Sequence, residues 1–392
     1  MSAPASLPHL RVRGAEAGQQ TTRVELFFDL VYVFAVTQLS HLILGDLSVG
    51  GVARAVFLLL VVWWAWIYTT WMVNWFDPGS TPVRLVLIGV ALASLLMSAA
   101  LPEAFGRHAG LFAVTYVALQ VGRNVAGALL LERGHPLRAV FERIVVWSIA
   151  AGVLWIAGAF LDGDARLLLW VPALAIELVA PLVGYRTPGR GMSRTADYSV
   201  DGGHFAERCQ GFVIIALGES IVVTGATAAD AGLTTEVLIA LAVAFLGTSA
   251  LWWLYFGEVA EHSRRRMAES EDPGGLARDA YTYLHLPIVA GVIAFAVADE
   301  LLIAHPGEPF ATTGVAMVLG GPALFLLGET FFRLRMIGSA NAKRLATIAA
   351  LALLWPLAGE VSALALTAIV TTLLTALALW EYEPLRARAA QA

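Results

Sequence analysis

Apolar stretches long enough to cross a membrane follow one another along almost the whole chain. A transmembrane helix needs about 20 mainly apolar residues, and such runs are centred near residues 34, 64, 94, 121, 152, 176, 217, 247, 293, 322, 352 and 371. Two longer runs, 144–185 and 345–382, are interrupted by the polar points LDGDAR and AGEVSA, so each is interpreted as a hairpin of two helices. The pattern predicts an all-α integral membrane protein with about 12 transmembrane helices.

Composition supports the membrane interpretation and excludes several other classes. The chain is 58% hydrophobic and 14% charged, whereas soluble domains are about 45–50% apolar and 25% charged. The 12 tryptophans, many near the ends of apolar runs, are typical of aromatic belts at the membrane surface. One cysteine, Cys209, excludes a disulfide framework and a Cys-rich metal site, and a net charge of -5 gives no nucleic-acid signature. We therefore expect no cofactor, no metal and no nucleic-acid partner.

The basic residues predict the orientation of the chain. With the N-terminus in the cytoplasm, they fall on the cytoplasmic side at Arg11, Arg13, Arg23, Arg84, Arg133, Arg138, Arg143, Arg186, Arg190, Arg194, Arg264 to Arg266, Arg333, Arg335, Lys343, Arg344, Arg386 and Arg388. The opposite loops hold only Arg107, Arg166 and, at a helix edge, Arg54. Because positive loops stay inside, we expect both termini in the cytoplasm of a bacterium and a multi-pass protein of its inner membrane.

Four pairs of segments indicate an internal repeat. Arg23–Phe27 matches Arg208–Phe212, WMVNWFD at Trp71–Asp77 matches WWLYFGE at Trp252–Glu258, Gly122–Asn124 matches Gly328–Thr330, and Arg143–Gly163 parallels Arg344–Ser362. Six helices in each half make the two halves parallel, and transporter sites commonly lie between such repeats. The predicted organisation is a cytoplasmic tail (1–24), a first six-helix repeat (25–185), a linker (186–207), a second repeat (208–382) and a cytoplasmic tail (383–392).

The first helix carries two acids in an otherwise apolar run. Glu25 and Asp29 are four residues apart and share one helix face, and the same helix closes with Gln38 and His41. An ionisable group inside a membrane span costs about 2.5–3.5 kcal/mol, so it faces the protein interior or a wet cavity. Glu25 is placed near the cytoplasmic surface, which leaves Asp29 as the costly acid. Asp29 is either one partner of a buried ion pair or part of a proton or cation site.

Polar residues inside other helices extend this candidate network. Arg123, beside Asn124 in the fourth helix, needs a carboxylate because a buried guanidinium without a partner is not tolerated. Asp29, Glu25 and Glu219 are the partners we expect. Glu329 stands at the position matching Arg123 in the repeat, so the alternatives are one central network or separate satisfied pairs.

Further polar residues stand at the ends of spans. Arg23, His204, Glu207 and Arg208 form a predicted cluster on the cytoplasmic face, before the first and seventh helices. The pair Asp299–Glu300 is expected to be solvated at the outer end of the ninth helix.

Three segments resemble the bacterial low temperature requirement protein A (LtrA) family. They are ELFFDLVYVFAVTQLSH at Glu25–His41, Gly122–Asn124, and HFAERCQGFVIIALGESI at His204–Ile221, in that order. The resemblance covers helices one, four and seven and implies an integral membrane protein. It leaves the chemistry to be argued from the residues.

A second resemblance concerns the start of the first helix. Arg23, Phe27 and Asp29 are similar to the R-x-x-x-F-S-D signature of two-repeat lysosomal and bacterial potassium channels, with Phe28 in place of the serine. The second half keeps Arg208 and Phe212 but has Ile214 where the acid would stand. This resemblance implies a cation pathway built from two six-helix repeats.

The sequence therefore favours a proton-coupled transporter or a cation channel that uses the buried acids and arginine. One alternative is an intramembrane or lipid-modifying enzyme with the His204 and Glu207 cluster, together with His41, facing the cytoplasm. A second alternative is a structural or sensory membrane protein. The expected partners are the lipid bilayer and protons, monovalent cations or a small solute, and a homodimer is left open.

Overall fold

Helices make up almost all of the computed structural model, which describes residues 9–11, 20–195, 199–257, 266–267 and 270–389, with the backbone alone for 383–389. The long helices of this part of the chain are α1 (Arg23–Gly45), α2 (Val49–Trp75), α3 (Thr81–Ala100), α4 (Ala109–Leu129), α5 (Pro136–Ala159), α6 (Leu167–Val179), α7 (Gly202–Ala231), α8 (Thr235–Phe256), α9 (His285–Ala304), α10 (Thr312–Ile337), α11 (Ala342–Leu353) and α12 (Ala363–Ala389). No β-strand occurs in the described residues, where two isolated bridges join extended backbone.

The helix pattern predicted from the sequence is confirmed. Every predicted centre lies inside one of the twelve helices. Both polar points break the helix as expected, since only single 3-10 turns, Gly163–Arg166 and Trp355–Leu357, lie between α5 and α6 and between α11 and α12. The two parallel repeats and the orientation of the termini stay predictions.

Nine helical segments of the described chain are long and apolar enough to cross a membrane; they contain α1, α2, α3, α5, α7, α8, α9, α10 and α12. Helix α4 has 21 residues but carries Gln120, Arg123 and Asn124. Helices α6 and α11 have 13 and 12 residues, fewer than the ~20 that a full span needs. The many apolar helices make this a multi-pass membrane protein.

The chain divides into two compact units. The first takes its described residues from Met1–Leu39, Phe57–Arg208 and Met267–Arg278; the second takes them from Ser40–Val56, Cys209–Arg266 and Asp279–Ala392. Helices α1, α2 and α7 therefore contribute residues to both units.

Several tryptophans lie inside the first unit and fill its core, while the belts expected at the membrane surface stay a prediction for the others. Trp63, Trp64 and Trp66 of α2, with Trp155 and Trp170, are at most 1% exposed. The rings of Trp155 and Trp170 contact each other with centroids 5.3 Å apart. These residues are core side chains because large aromatic rings fill the space between packed helices.

In the second unit, α9 and α10 approach each other backbone to backbone. A Cβ atom on Gly291 of α9 would lie 2.6 Å from the carbonyl oxygen of Gly321 and 2.5 Å from the backbone nitrogen of Phe325, both on α10. Small residues at a helix interface permit this close crossing in membrane proteins. Helix α9 also continues directly from a π-helical segment, Ala277–Leu284.

Some sequence expectations fall outside the described residues. These are most of the predicted N-terminal tail with Arg13, the basic residues Arg264 and Arg265, Glu258 of the repeat, residues 196–198 of the linker, the side chains of Arg386 and Arg388, and residues 390–392.

Candidate functional site

Glu25 is fully buried at the start of α1 in the first unit, and several donors surround its carboxylate. The Thr22 backbone N–H and hydroxyl both donate to Oε2 at 2.7 Å. Arg11 Nη2 donates to Oε1 and Oε2 at 3.0 Å, and His204 Nε2 lies 2.7 Å from Oε1. Thr22 precedes the first helical residue, so Glu25 caps α1 by satisfying one of its free N–H groups.

The protonation state of His204 follows from its neighbours. Asp201 orients the Asn74 amide, because its N–H donates to Asn74 Oδ1 at 2.9 Å and its carbonyl accepts from Nδ2 at 2.8 Å. Asn74 Nδ2 is thus a donor toward His204 Nδ1, 3.2 Å away, which makes Nδ1 the acceptor of a neutral ring. The ring proton is therefore assigned to Nε2, which donates to Glu25 Oε1 and also lies 3.0 Å from Arg11 Nη2.

Asp29 lies one turn further along α1 and is paired with Arg208 of α7. The two side chains form a bidentate ion pair, with Arg208 Nη1 on Oδ2 and Nη2 on Oδ1 at 2.8 Å. Trp66 Nε1 also donates to Oδ1 at 2.9 Å, and the guanidinium lies 5.5 Å from the Trp66 ring centroid. This arrangement satisfies a buried carboxylate and holds α1, α2 and α7 together.

Arg123 does not form the ion pair that the sequence led us to expect. Its Nη1 donates to the Ala65 carbonyl and to Thr69 Oγ1, both at 3.1 Å, and its Nη2 donates to Gln120 Oε1. Among the described residues of the first unit no carboxylate pairs with it, so the expected pairing with Asp29 or Glu25 is wrong, while the pairing with Glu219 stays a prediction. Asp29 is already paired with Arg208, and oxygen atoms of α2 and of Gln120 accept from the two Nη atoms of Arg123 instead, while its Nε has no hydrogen-bond partner in the described chain.

The guanidinium of Arg123 reaches a carboxylate through two neutral side chains. Gln120 Nε2 donates to Tyr116 Oη at 3.0 Å, and Tyr116 Oη donates to Glu177 Oε2 at 2.7 Å. Each hydrogen bond in this series is donated in the direction from the Arg123 guanidinium to the Glu177 carboxylate, so the bonds polarise one another. Glu177 also accepts from Trp155 Nε1 at 3.3 Å.

In the second unit, Glu329 pairs with Arg344 of α11. Arg344 Nη1 donates to Glu329 Oε2, and the same guanidinium donates to both oxygens of Glu381, at 3.0 Å from Nε and 2.9 Å from Nη2. Asn341 Nδ2 donates to Glu381 Oε1 at 2.6 Å. Arg344 is thus neutralised by two carboxylates.

Asp299 is a fully buried acid of a different kind. Its Oδ2 accepts from Ser220 Oγ of α7 at 2.9 Å and from Thr248 Oγ1 of α8 at 3.4 Å, and these two hydroxyls lie 2.8 Å apart. Oδ1 has no hydrogen-bond partner, and no Arg, Lys or His pairs with the carboxyl within the described chain. The expectation that Asp299 is solvated is wrong, because this face of α9 packs against α7 and α8. We call Ser220, Thr248 and Asp299 together the Asp299 site.

Two more acids lie in the second unit near the Asp299 site. Glu219, adjacent to Ser220, is buried, and Glu300, adjacent to Asp299, is half-buried. Glu300 lies in electrostatic range of Glu219 and of His41. The ALGES stretch of α7 and the ADE stretch of α9 thus place three acids in one region.

The other candidate residues are more exposed or play a local role. Arg23 and His41 are exposed, and Gln38 is half-buried. Glu207 is partly exposed and accepts from the Thr21 N–H at 3.1 Å, while Asn124 Nδ2 donates to the Gln120 carbonyl at 2.7 Å.

The cluster predicted from Arg23, His204, Glu207 and Arg208 divides accordingly. His204 and Arg208 are buried against acids of α1, whereas Arg23 and Glu207 contribute to neither pair. His204 and Glu25 are fully buried and bonded to each other.

Sequence reasoning missed Arg11, Arg344 and the Asp299 site. The capping pattern Thr22-x-x-Glu25 is a sequence signal for the Glu25 environment. No local pattern joins Ser220, Thr248 and Asp299, because they come from three helices that are distant in the chain. Among the described residues, no three His, Cys, Asp or Glu side chains are grouped to hold a metal ion.

The long apolar helices and the arginine–carboxylate pairs buried between them define a multi-pass helical membrane protein. The chain belongs to the bacterial low temperature requirement A protein (LtrA) family, which matches residues 20–379, as its three motifs predicted. It is 36% identical over 366 residues, 92% of this chain and 89% of the relative, to the uncharacterized protein RA0937 of Rhizobium meliloti (strain 1021). No solved structure matches the chain.

Proposed function

We propose that the protein is a proton-coupled transporter or cation channel of the bacterial cytoplasmic membrane, with the Asp299 site as the place where the proton or monovalent cation binds. The observation that carries this proposal is a buried acid whose hydrogen bonds come from neutral hydroxyl groups alone. A bare carboxylate in that position is costly in a membrane span. It is stable when it holds a proton or a cation.

The contrast with three buried acids that have an arginine partner supports this choice. Glu25, Asp29 and Glu329 each have an arginine at hydrogen-bond distance, so their charges are compensated within the protein. Breaking such a pair by removing one partner typically costs about 3–5 kcal/mol, which suits a structural role. Asp299 alone among these four lacks a basic partner in the described chain and can exchange a proton or ion without breaking one.

The protonated and the deprotonated states of Asp299 differ in the ligands that stabilise them. With a proton on Oδ1, the carboxyl is neutral and Oδ2 keeps the bonds from Ser220 and Thr248. Without the proton, the carboxylate and the two hydroxyl oxygens are hard oxygen ligands that suit a small monovalent cation or water. Loss of the proton therefore favours an arrangement of helices that admits a cation or water, which is the coupling that transport requires.

The substitution Asp299→Asn tests this function in purified protein reconstituted into liposomes. We expect proton or monovalent-cation flux to fall at least tenfold, because the amide neither ionises nor binds a cation strongly. The melting temperature in detergent should stay equal or rise, since the variant keeps a polar side chain and removes the cost of a buried charge. Flux is measured with a pH-sensitive dye and with sodium and potassium gradients.

Asp162→Asn is the matched control, because it removes a carboxylate from the exposed turn between α5 and α6. Its flux should equal that of the unmodified protein. Full flux in folded Asp299→Asn would remove the Asp299 site from the mechanism.

A further inference from the structure

A cavity of about 620 Å³ lies in the first unit beside the N-terminal part of α5. This volume is in the range of small-molecule sites. Trp75, Leu137 and Val140 form an apolar part of its lining, and Met192, more than half exposed, also borders it. Arg143 belongs to the same lining.

Arg143 is buried in the cavity wall, and no acidic side chain among the described residues pairs with it. It is 9% exposed, its Nε and Nη2 both donate to Ser193 Oγ at 3.1 and 2.5 Å, and its Nη1 donates to the Arg190 carbonyl at 3.0 Å. A guanidinium has five N–H donors, so two of them are left for another acceptor within the described chain. These N–H groups and the positive charge can bind an anion at the cavity wall.

The arginine that matches Arg143 in the predicted second repeat, Arg344, has its charge paired with carboxylates. Arg344 opens the segment that parallels the one opened by Arg143, and it is held by Glu329 and Glu381. The described residues of the first unit supply no such carboxylate to Arg143. The position that two acids fill around Arg344 is therefore available for a bound anion around Arg143.

Other groups around the cavity also favour a negatively charged ligand. His135 Nδ1 accepts from the Leu137 N–H at 3.2 Å, which puts the proton of the neutral ring on Nε2 as a donor. The positive end of the α5 helix dipole also lies at His135 and Pro136. Arg11 belongs to the lining as well, although its charge is shared with Glu25.

We propose that this cavity binds a phosphate group carried on an apolar body, with Arg143 as its main anchor. A guanidinium matches phosphate oxygens with two parallel hydrogen bonds, and the Ser193 hydroxyl stands beside it. A bare phosphate ion is too small to fill the volume, whereas the apolar lining suits an attached hydrocarbon or glycerol ester. Such a ligand is either the headgroup of an anionic phospholipid or a soluble phosphate ester.

The experiment measures binding to the full chain in neutral detergent by calorimetry. The probes are short-chain phosphatidic acid, the diacylglycerol of the same chain length, glycerol 3-phosphate as a soluble phosphate ester, and inorganic phosphate. We expect phosphatidic acid to bind and Arg143→Gln to weaken it at least tenfold. Arg138→Gln is the matched control, because it removes one charge from the same helix at a residue paired with Glu142 outside the cavity; its affinity should not change.

Met192→Trp keeps the proposal testable if Arg143→Gln does not fold. It fills the cavity from an exposed position without removing charge, so it should also abolish binding while the melting temperature is kept. Binding of glycerol 3-phosphate as tightly as phosphatidic acid, with the same loss in Arg143→Gln, identifies a soluble phosphate ester, whereas binding of phosphatidic acid alone identifies a lipid headgroup. Inorganic phosphate binding as tightly as either would contradict the proposed role of the apolar lining. Equal binding of diacylglycerol, no binding at all, or unchanged binding in folded Met192→Trp would overturn the proposal.

Discussion

Single side chains in the first unit show how charges are kept inside a membrane protein. Arg208 and Asp29 are a bidentate pair, supported by a Trp66 N–H. Ion pairs of this kind seldom add much stability over an apolar pair of the same size, but each partner is costly to leave alone. The pair therefore makes the positions of α1 and α7 depend on each other.

Arg208→Gln should destabilise the protein by about 3–5 kcal/mol, because Asp29 is left buried without its cation. Adding Asp29→Asn should recover a large part of this loss. The measurement is the free energy of unfolding in mixed detergent micelles for both single variants and the double variant.

Arg23→Gln serves as the control, since Arg23 is an exposed residue of the same helix as Asp29. Strictly additive losses in Arg208→Gln and Asp29→Asn would contradict direct coupling of the two residues.

The sequence predicts which residues are buried and polar better than it predicts their partners. Glu25, Asp29, His204 and Arg208 are all found where the first and seventh helices begin, and all are buried. Asp299 shows where this kind of prediction fails. Its position near the end of α9 suggested that it is solvated, but its side chain points toward α7 and α8 and is therefore buried. Depth is a property of the linear pattern, but the direction of a side chain depends on packing between distant helices.

At the scale of elements, the crossing of α9 and α10 has the clearest steric requirement. Gly291→Ala should lower stability by about 1–3 kcal/mol, as overpacking of a tight interface does. The added methyl would meet backbone atoms of α10, which cannot move as a flexible side chain does. Thermal unfolding in detergent measures the effect.

Gly320→Ala is the matched comparison, because nothing lies within 4 Å of a Cβ atom there. It should be neutral or slightly stabilising, since alanine favours a helix more than glycine does. A Gly291→Ala variant as stable as Gly320→Ala would show that the two helices can separate without cost.

The number of helices and their two hairpin breaks were readable from hydropathy, because each helix is built from a continuous run of residues. The same pattern does not reveal how far each helix extends. Helices α6 and α11 are about half as long as the others that follow polar turns, such as α8 with 22 residues. The π-helical segment that precedes α9 also has no signal in the sequence, because its extra residue per turn depends on tertiary contacts.

At the scale of the whole molecule, the distribution of arginine and lysine predicts the orientation in the membrane. A green fluorescent protein fused after residue 392 should fluoresce in cells, because it folds in the cytoplasm. Alkaline phosphatase inserted at residues 161–166 should be active, because that turn is predicted on the opposite side. A dark C-terminal fusion combined with an inactive insertion would invert the predicted orientation.

The buried partners of α1 also constrain how the protein is made. His204 and Arg208 each follow their acid, Glu25 and Asp29, by 179 residues. At roughly 5–20 residues per second, a ribosome needs about 10 to 40 s to synthesise this interval. During that time the two acids lack the partners that α7 will bring. The ion pair of the first helix is thus completed only when the seventh helix is made, and a nascent chain that stops before residue 208 leaves Asp29 without its arginine.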